Sequence, residues 1–418
     1  MNIGFALSDL VKYKKIVRQT GLMFISNISV LLIGIFSKGI QTRGLGPEAY
    51  GLFAFFLTIT GFTVIFFRFG LFSSTRVLLL NNTDKNRERE LFAAGFFITL
   101  LIGVSYFVFI FSISWFVDDI FHIKIGDIMR LLSPLCFILP FPFLIDMLAV
   151  GSNKIENSAL MNFLNKFLFF LAVIVLFSLK YLTLNTIIAA YLLTTLVVII
   201  VMFFFFKPSF SNLKTTLKDI RVKNSQYGRK VYLGQIVTLG TTQLDKIFIG
   251  YFVNTLWVGF YSLVEVMTLP IVYFSNALND SILKDLSGLK RIPQKLFVIN
   301  FIWLVATSVF LVFAGRYLLV LIFSSEYEPA STLIIPLTVA SFFQGLYQPF
   351  LRFMTVNEKG NYQRNSALMI SACNLGTNMI MVPLMGAFGA ALATAISRIF
   401  TFFVNYHYYR KSVAEINS

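Results

Sequence analysis

Residues that carry the chemistry of soluble enzymes are scarce in this chain of 418 residues. Only 13% of its residues are charged, whereas a soluble domain has about 25%. Both cysteines, Cys136 and Cys373, fall in apolar runs, so we expect no disulfide framework and no zinc site. The two histidines, His122 and His407, lie far apart, which argues against a histidine-based metal or nucleophile site. No phosphate-binding glycine motif of an ATPase occurs, and no cofactor is predicted.

Hydrophobic residues are abundant instead. They make up 57% of the chain, and phenylalanine alone supplies 49 residues. This composition predicts an all-α integral membrane protein. The formal net charge of +16 would favour a nucleic-acid partner in a soluble protein. In a membrane protein, basic residues collect in cytoplasmic loops, so no nucleic-acid partner is predicted.

Apolar runs long enough to cross a bilayer recur along the chain, since a core about 30 Å thick needs roughly 20 residues of helix. The sequence contains twelve of them, at 21–41, 49–70, 93–117, 131–150, 160–179, 183–206, 231–252, 256–278, 296–318, 331–353, 364–385 and 387–408. Before the first run and after the even-numbered runs lie 25 basic residues. Only Arg43, Lys124, Arg130 and Lys180 follow odd-numbered runs. We therefore predict 12 transmembrane helices with both termini in the cytoplasm.

The two halves of the chain match at a constant offset of 208 residues. Lys38 corresponds to Lys246 and Gly51 to Gly259, and the pentapeptide Asn-Ser-Ala-Leu-Met occurs at both 157–161 and 365–369. Six spans is an even number, so both copies enter the membrane from the same side. The sequence thus predicts two parallel six-helix repeats. The predicted parts are an interfacial amphipathic helix at 1–20, an N-lobe at 21–206, a cytoplasmic linker at 207–230, a C-lobe at 231–408 and a cytoplasmic tail at 409–418.

Charged side chains inside the apolar runs are costly and mark candidate functional positions. Lys38 and Lys246 occupy equivalent places in the two repeats, Arg398 lies near the middle of the last run, and Lys166 lies in the fifth. We interpret these four as substrate-binding residues of a cationic cavity. Such a cavity favours an anionic cargo, for which phosphate is the obvious group.

Two acidic residues accompany these cations. Asp245 precedes Lys246, and Glu265 lies in the following run. They either neutralise the lysines or titrate and couple transport to an ion gradient, and both interpretations stay open. Arg68, Asp146 and Arg316 lie near the ends of runs, where long side chains reach the interface, so we interpret them as structural.

Three motifs resemble a known family. The segment 42–54 (TRGLGPEAYGLFA), followed by Phe69-Gly-Leu71, is similar to the opening signature of bacterial polysaccharide export proteins of the O-antigen flippase (Wzx) type. The segments 243–250 (QLDKIFIG) and 258–261 (VGFY) resemble the mid-chain signature of that family, and 383–394 (PLMGAFGAALAT) resembles its closing one. The resemblance covers nearly the whole chain, in order.

The resemblance implies a two-lobed fold of the multidrug/oligosaccharidyl-lipid/polysaccharide exporter (MOP) superfamily in a bacterial inner membrane. It implies a non-enzymatic flippase that moves an undecaprenyl-diphosphate-linked oligosaccharide, such as an O-antigen or lipopolysaccharide repeat unit, from the inner to the outer leaflet. A gradient of H⁺ or Na⁺ is expected to drive the step. A polysaccharide polymerase and a chain-length regulator are expected partners.

Two alternatives come from other classes. A drug efflux antiporter of the same superfamily would need a net acidic cavity for cationic drugs, but Lys38, Lys246 and Arg398 outnumber Asp245 and Glu265. A membrane enzyme such as a polysaccharide polymerase would be expected to carry a large outer loop, and none is predicted. Peptidoglycan-precursor or teichuronic-acid cargo stays open for a flippase.

Overall fold

The computed structural model describes the backbone of residues 3–281 and 291–417, and the side chains of 29–236, 243–280 and 291–416. These ranges are helical and contain no strand. The α-helices are α1 Ile3–Thr63, α2 Leu71–Leu80, α3 Lys85–Ile113, α4 Val117–Phe121, α5 Gly126–Leu132, α6 Phe141–Gly151, α7 Ile155–Ser178, α8 Leu184–Phe206, α9 Leu213–Lys223, α10 Arg229–Phe252, α11 Thr255–Ser281, α12 Gln294–Phe323, α13 Ile334–Val356 and α14 Gly360–Asn417. Short 3₁₀ or π turns at Val64–Phe67, Ser133–Ile138, Asn224–Gly228 and Ser325–Leu333 join some of them.

Many of these helices suit a membrane. Among the described residues, nine helical stretches are long and apolar enough to cross a bilayer. They are Ser29–Phe67, Lys85–Ile113, Gly126–Gly151, Ile155–Ser178, Leu184–Phe206, Thr255–Asp280, Gln294–Phe323, Ser325–Val356 and Gly360–Ile416. The chain is therefore a multi-pass helical membrane protein, as its composition predicts. The count of twelve crossings and the cytoplasmic termini stay predictions.

Glycine interrupts the two longest helices. Gly46 (φ 74°, ψ 171°) breaks α1, and Gly386 (φ 61°, ψ −142°) breaks α14. Both conformations suit glycine because it has no Cβ. Pro47 follows the first break and opens the next helical segment, where its missing N–H is not needed. These breaks fall between the predicted runs 21–41 and 49–70 and between 364–385 and 387–408, so the division into separate runs is confirmed at both places.

Breaks and starts of helices recur at about the spacing of the sequence repeat. The break at Gly46 corresponds to Asn254, between α10 and α11, and the start of α5 at Gly126 corresponds to the start of α13 at Ile334. Lys180, which separates α7 from α8 with a φ of 60°, falls within two residues of the position equivalent to Gly386. This agreement supports a duplication, and the parallel arrangement of the repeats stays a prediction.

The chain divides into two compact units. One comprises Phe36–Gly259, and the other comprises Met1–Ile35 together with Phe260–Ser418. The predicted lobes, linker and tail stay predictions. The predicted interfacial helix at 1–20 is helical from Ile3, but its side chains lie outside the described residues.

A close backbone contact lies within the 36–259 unit. A Cβ added to Gly259 would lie 2.9 Å from the Cα of Gly51, and a Cβ added to Gly51 would lie 2.9 Å from the Cα of Leu256. Real Cβ atoms do not approach other atoms so closely, so the two glycines let the helices meet at the backbone.

The segment that the sequence predicts as a linker contains helix α9, which is bonded to the start of α3. Arg87 of α3 donates to Thr216 at 2.6 Å and forms an ion pair with Asp219. Glu90, which is 8% exposed, accepts from Arg87 at 2.9 Å and from Asn212 at 2.6 Å. Because these bonds join the start of α9 to the start of α3, the predicted linker segment is a packed element of this unit.

Candidate functional site

The break at Gly46 brings together two side chains that are twelve residues apart. Lys38 precedes it and Tyr50 follows it. The Nζ of Lys38 donates a hydrogen bond to the Tyr50 hydroxyl at 2.9 Å and lies 5.6 Å from the ring centroid. Tyr50 is 1% exposed, and a buried tyrosine hydroxyl normally has a hydrogen-bond partner. Lys38 is therefore held in place by a buried aromatic side chain.

Two further lysines lie around this pair. Lys166 of α7 is exposed and interacts electrostatically with Lys38. Lys246 of α10 is half-buried and acts electrostatically on Tyr50. Three of the four predicted substrate-binding cations thus meet within one unit. We call Lys38, Lys166, Lys246 and Tyr50 the lysine cluster.

Asp245 belongs to the same unit as the lysine cluster. It precedes Lys246 in α10 and is 8% exposed. A buried carboxylate next to a lysine is costly to ionise without a partner and changes the local charge by one when it binds a proton or a cation. The position of Asp245 therefore agrees with both interpretations from the sequence: neutralisation of the lysines and coupling of transport to an ion gradient.

The other predicted residues, Arg398 and Glu265, lie in the 260–418 unit. Arg398 donates to the hydroxyl of Tyr347, 6% exposed, at 2.9 Å. One turn before Arg398, Thr394 shares a hydrogen bond of 2.9 Å with Tyr261 of α11. Glu265 follows Tyr261 by one turn, so Glu265 and Arg398 lie on the faces where α11 and α14 meet.

Each unit therefore contains a cation bonded to a buried tyrosine: Lys38 to Tyr50 and Arg398 to Tyr347. The sequence interpretation missed both tyrosines. A signal for Tyr50 was present, since it lies in the motif 42–54, three residues after Pro47 and at the start of an apolar run. No comparable signal marks Tyr347.

The charged residues near the ends of the runs have structural partners. Arg316 forms an exposed ion pair with Glu328, as expected for a side chain at the interface. Arg68 instead stacks on Phe143, with its guanidinium carbon 3.7 Å from the ring centroid, and interacts electrostatically with Asp146. Asp146 also accepts a hydrogen bond from Ser158. Arg68 and Asp146 thus connect α6 to neighbouring segments.

Metal-ligating residues do not cluster in the part of the chain that the structure describes. No group of three or more histidine, cysteine, aspartate or glutamate side chains there could hold a metal ion. The ammonium and guanidinium groups of the two cation–tyrosine pairs can donate charge-assisted hydrogen bonds.

The fold of the chain is similar to that of several solved membrane proteins. It is similar to the lipid II flippase MurJ in an inward closed conformation, with a TM-score of 0.71 and 14% identity over 94% of this chain and 89% of that one. It is also similar to an inward-facing multidrug resistance MATE family transporter of the MOP superfamily, with a TM-score of 0.69 and 17% identity over 94% and 99%. A MOP superfamily transporter from Pyrococcus furiosus, whose binding pocket is described as having reverse polarity, gives a TM-score of 0.63 and 16% identity over 97% of both chains.

The family follows from the sequence itself. Residues 40–332 match the family model described as polysaccharide biosynthesis protein, and the chain belongs to this family. The resemblance to polysaccharide export proteins of the MOP superfamily is thereby confirmed. Among curated proteins, no sequence matches the chain. The family and the fold together support a lipid-linked flippase or another MOP transporter, which is consistent with the expectation that the chain is not an enzyme.

Proposed function

We propose that the chain moves an undecaprenyl-diphosphate-linked oligosaccharide, an O-antigen or related repeat unit, from the inner to the outer leaflet of a bacterial inner membrane. The observation that carries this proposal is the lysine cluster: Lys38 is bonded to the buried Tyr50 hydroxyl, Lys246 interacts electrostatically with Tyr50, and Lys166 interacts electrostatically with Lys38. Like charges inside a membrane protein repel, so an anionic occupant stabilises the group. A diphosphate supplies at least two negative charges in one compact group.

The cluster suits a diphosphate for reasons of geometry. Lysine is a compact charge on a flexible stem, so three lysines can bind oxygens of both phosphates without the fixed fork of arginine. The Tyr50 hydroxyl restricts Lys38 before the anion arrives, which lowers the entropy lost on binding. Arg398, restricted in the same way by Tyr347, assists in binding the diphosphate during an alternating-access cycle. The lipid tail remains in the bilayer throughout.

Ion coupling is proposed to act through Asp245 or Glu265. A proton or Na⁺ bound at Asp245 changes the charge beside Lys246 by one, so occupancy of this carboxylate by a cation is linked to binding of the diphosphate. A polysaccharide polymerase and a chain-length regulator would then use the translocated repeat unit.

A drug efflux antiporter is the second candidate, since a multidrug MATE transporter shares the fold. Cationic drugs need an acidic site, and the three lysines of the cluster oppose them. The pocket polarity described for the Pyrococcus furiosus relative supports the idea that one MOP fold can serve cargoes of different charge.

The test is a deletion of the gene in its host, complemented with wild-type and substituted chains. Surface polysaccharide is read on a gel, protein level by immunoblot, and lipid-linked intermediates are extracted from the membrane. We expect the deletion to lose surface glycan and to accumulate undecaprenyl-linked repeat units. Normal glycan together with altered drug sensitivity would reject the flippase and favour efflux.

Lysine variants test the cluster itself. Lys38→Ala, Lys246→Ala and the double variant should lose surface glycan at normal protein level. Lys124→Ala, at an exposed position outside the cluster, is the matched control and should retain it. Full activity of the double variant would reject the lysine cluster as the substrate site while leaving the deletion result to decide the cargo.

A further inference from the structure

An apolar groove of about 300 Å³ opens on the surface of the 36–259 unit. Phe96, Phe97 and Leu100 of α3 line one side, Phe203 and Phe204 of α8 line another, and Phe210 lies at the end where α8 has finished. Leu100 is 45% exposed and Phe204 is 68% exposed, so the groove is open to its surroundings. In a membrane protein, such a surface is covered by hydrocarbon.

Two cations lie close to the groove residues along α3 and at the end of α8. Arg89 precedes Phe96 and Leu100 by seven and eleven residues, which places all three on one face of α3. Lys207 follows α8 directly, between groove residues Phe204 and Phe210. The Arg89 Nε donates to the Lys207 backbone carbonyl oxygen at 2.8 Å, so the start of α3 meets the end of α8 at these two basic residues.

Two neighbouring cations, Arg87 and Lys154, are neutralised by carboxylates, in contrast to Arg89 and Lys207. Arg87 pairs with Glu90 and Asp219, and Lys154 pairs with Glu88. Arg89 and Lys207 are both exposed, and no ion pair involves either of them within the described residues. Arg89 keeps its two terminal nitrogens for a ligand, because its bond to Lys207 uses Nε.

We infer that this groove is a binding site for a phospholipid with an anionic headgroup. One acyl chain lies in the groove, and the headgroup phosphate lies between Arg89 and Lys207. Basic pockets between membrane helices bind acidic lipid headgroups in this way. A zwitterionic lipid fits less well because its ammonium group adds a third cation beside the two that are present.

The cations lie at helix ends, which indicates a lipid that stays in its leaflet. Arg89 is in the second turn of α3 and Lys207 caps α8, so both lie level with headgroups rather than in the hydrocarbon. The lysine cluster, by contrast, lies on α1, α7 and α10 within apolar runs. This lipid site therefore does not depend on the proposed cargo.

Binding of the lipid should join three parts of the unit. The phosphate contacts the start of α3 and the end of α8, and the Ser209 amide already donates to the Arg89 carbonyl at 2.9 Å. The segment after α8 continues into α9, which Arg87 and Glu90 attach to α3. An anionic phospholipid is thus expected to stabilise the packing of 207–223 on α3.

The test uses the purified full-length chain in detergent and native mass spectrometry. Phosphatidylglycerol and phosphatidylcholine with identical acyl chains compete for the protein, and undecaprenyl phosphate is added as a third competitor. We expect phosphatidylglycerol to be retained preferentially. Lys207→Gln should reduce that preference by about fivefold, since one basic residue contributes about that factor, and Lys207→Arg should restore it. Lys214→Gln, at an exposed lysine of α9, is the control and should change nothing.

A second pair of variants tests the groove. Ile200 lines it and is 48% exposed, whereas Leu193, on the same helix with the same exposure, does not line it. Ile200→Trp should fill the groove and reduce retention of phosphatidylglycerol, while Leu193→Trp should not. Equal retention of the two phospholipids, unchanged retention in Ile200→Trp, or preference for undecaprenyl phosphate would each overturn the assignment.

Discussion

Lys38 and Tyr50 are joined by a hydrogen bond of 2.9 Å across the break that Gly46 introduces into α1. The break therefore has a role beyond ending a helix. A straight helix would place residues twelve apart about 18 Å from each other along its axis. Because the chain bends at Gly46 and Pro47, the ammonium group of Lys38 in the first segment donates to the hydroxyl of Tyr50 in the second.

Removing the Tyr50 hydroxyl should weaken the positioning of Lys38 without leaving a cavity in the core. Tyr50→Phe keeps the buried ring but leaves Lys38 without that acceptor, at a cost of about 1 kcal/mol. We expect lower surface glycan at normal protein level, with a larger loss when the lipid-linked substrate is scarce. Tyr181→Phe, at a tyrosine that is 67% exposed, is the control. Wild-type activity of Tyr50→Phe across substrate levels would show that Tyr50 does not position Lys38.

Arg398 and Tyr347 should act as a coupled pair. Arg398→Lys and Tyr347→Phe are made singly and together, and transport is compared in a double-mutant cycle. Since Arg398 donates to the Tyr347 hydroxyl, we expect the double variant to lose less than the two single losses combined. The coupling should correspond to about 1–2 kcal/mol. Strictly additive losses would mean that the bond is not used in transport.

The contact at Gly51 should not tolerate a side chain. Gly51→Ala places a Cβ 2.9 Å from the Cα of Leu256, so the backbone has to move. We expect a loss of about 1–3 kcal/mol in the free energy of unfolding and a lower midpoint of thermal unfolding. Gly61→Ala is the matched control in the same helix, because its nearest atom, Gln243 Nε2, would lie 4.0 Å away. Equal midpoints for the two variants would contradict the close approach.

Glu90 should control how firmly α9 is attached to α3. Glu90→Gln removes the charge that accepts from Arg87 and Asn212, which should cost about 1.5–3 kcal/mol. Trypsin should then cleave faster at the lysines of α9, as followed on a gel. Glu156→Gln changes an exposed glutamate at the start of α7 and should leave the cleavage rate unchanged. A rate unaffected by Glu90→Gln would show that other contacts hold the segment.

The sequence predicts the membrane fold and the helix breaks well because both depend on local chemistry. Long apolar runs require helices in a bilayer, and Gly46–Pro47 and Gly386 mark breaks whatever surrounds them. It also predicts the cations of the lysine cluster, since charge within an apolar run is rare. It does not identify Tyr50 as the partner of Lys38, because that contact depends on the angle of the break. Nor does it place Arg68 on Phe143, which lies on a different helix.

The contact between Gly51 and Gly259 joins a residue to its own counterpart, since the two positions are 208 residues apart, the offset of the repeat. On the duplication that this offset indicates, an ancestor with one repeat would make the same contact between two identical subunits. Every substitution near that glycine would then appear on both sides at once. Fusion into one chain lets the residues around each glycine change independently. The residues that follow the two glycines already differ: Leu52-Phe53 follow Gly51, and Phe260-Tyr261 follow Gly259. On this account of the duplication, a symmetric subunit interface became the interior of an asymmetric protein.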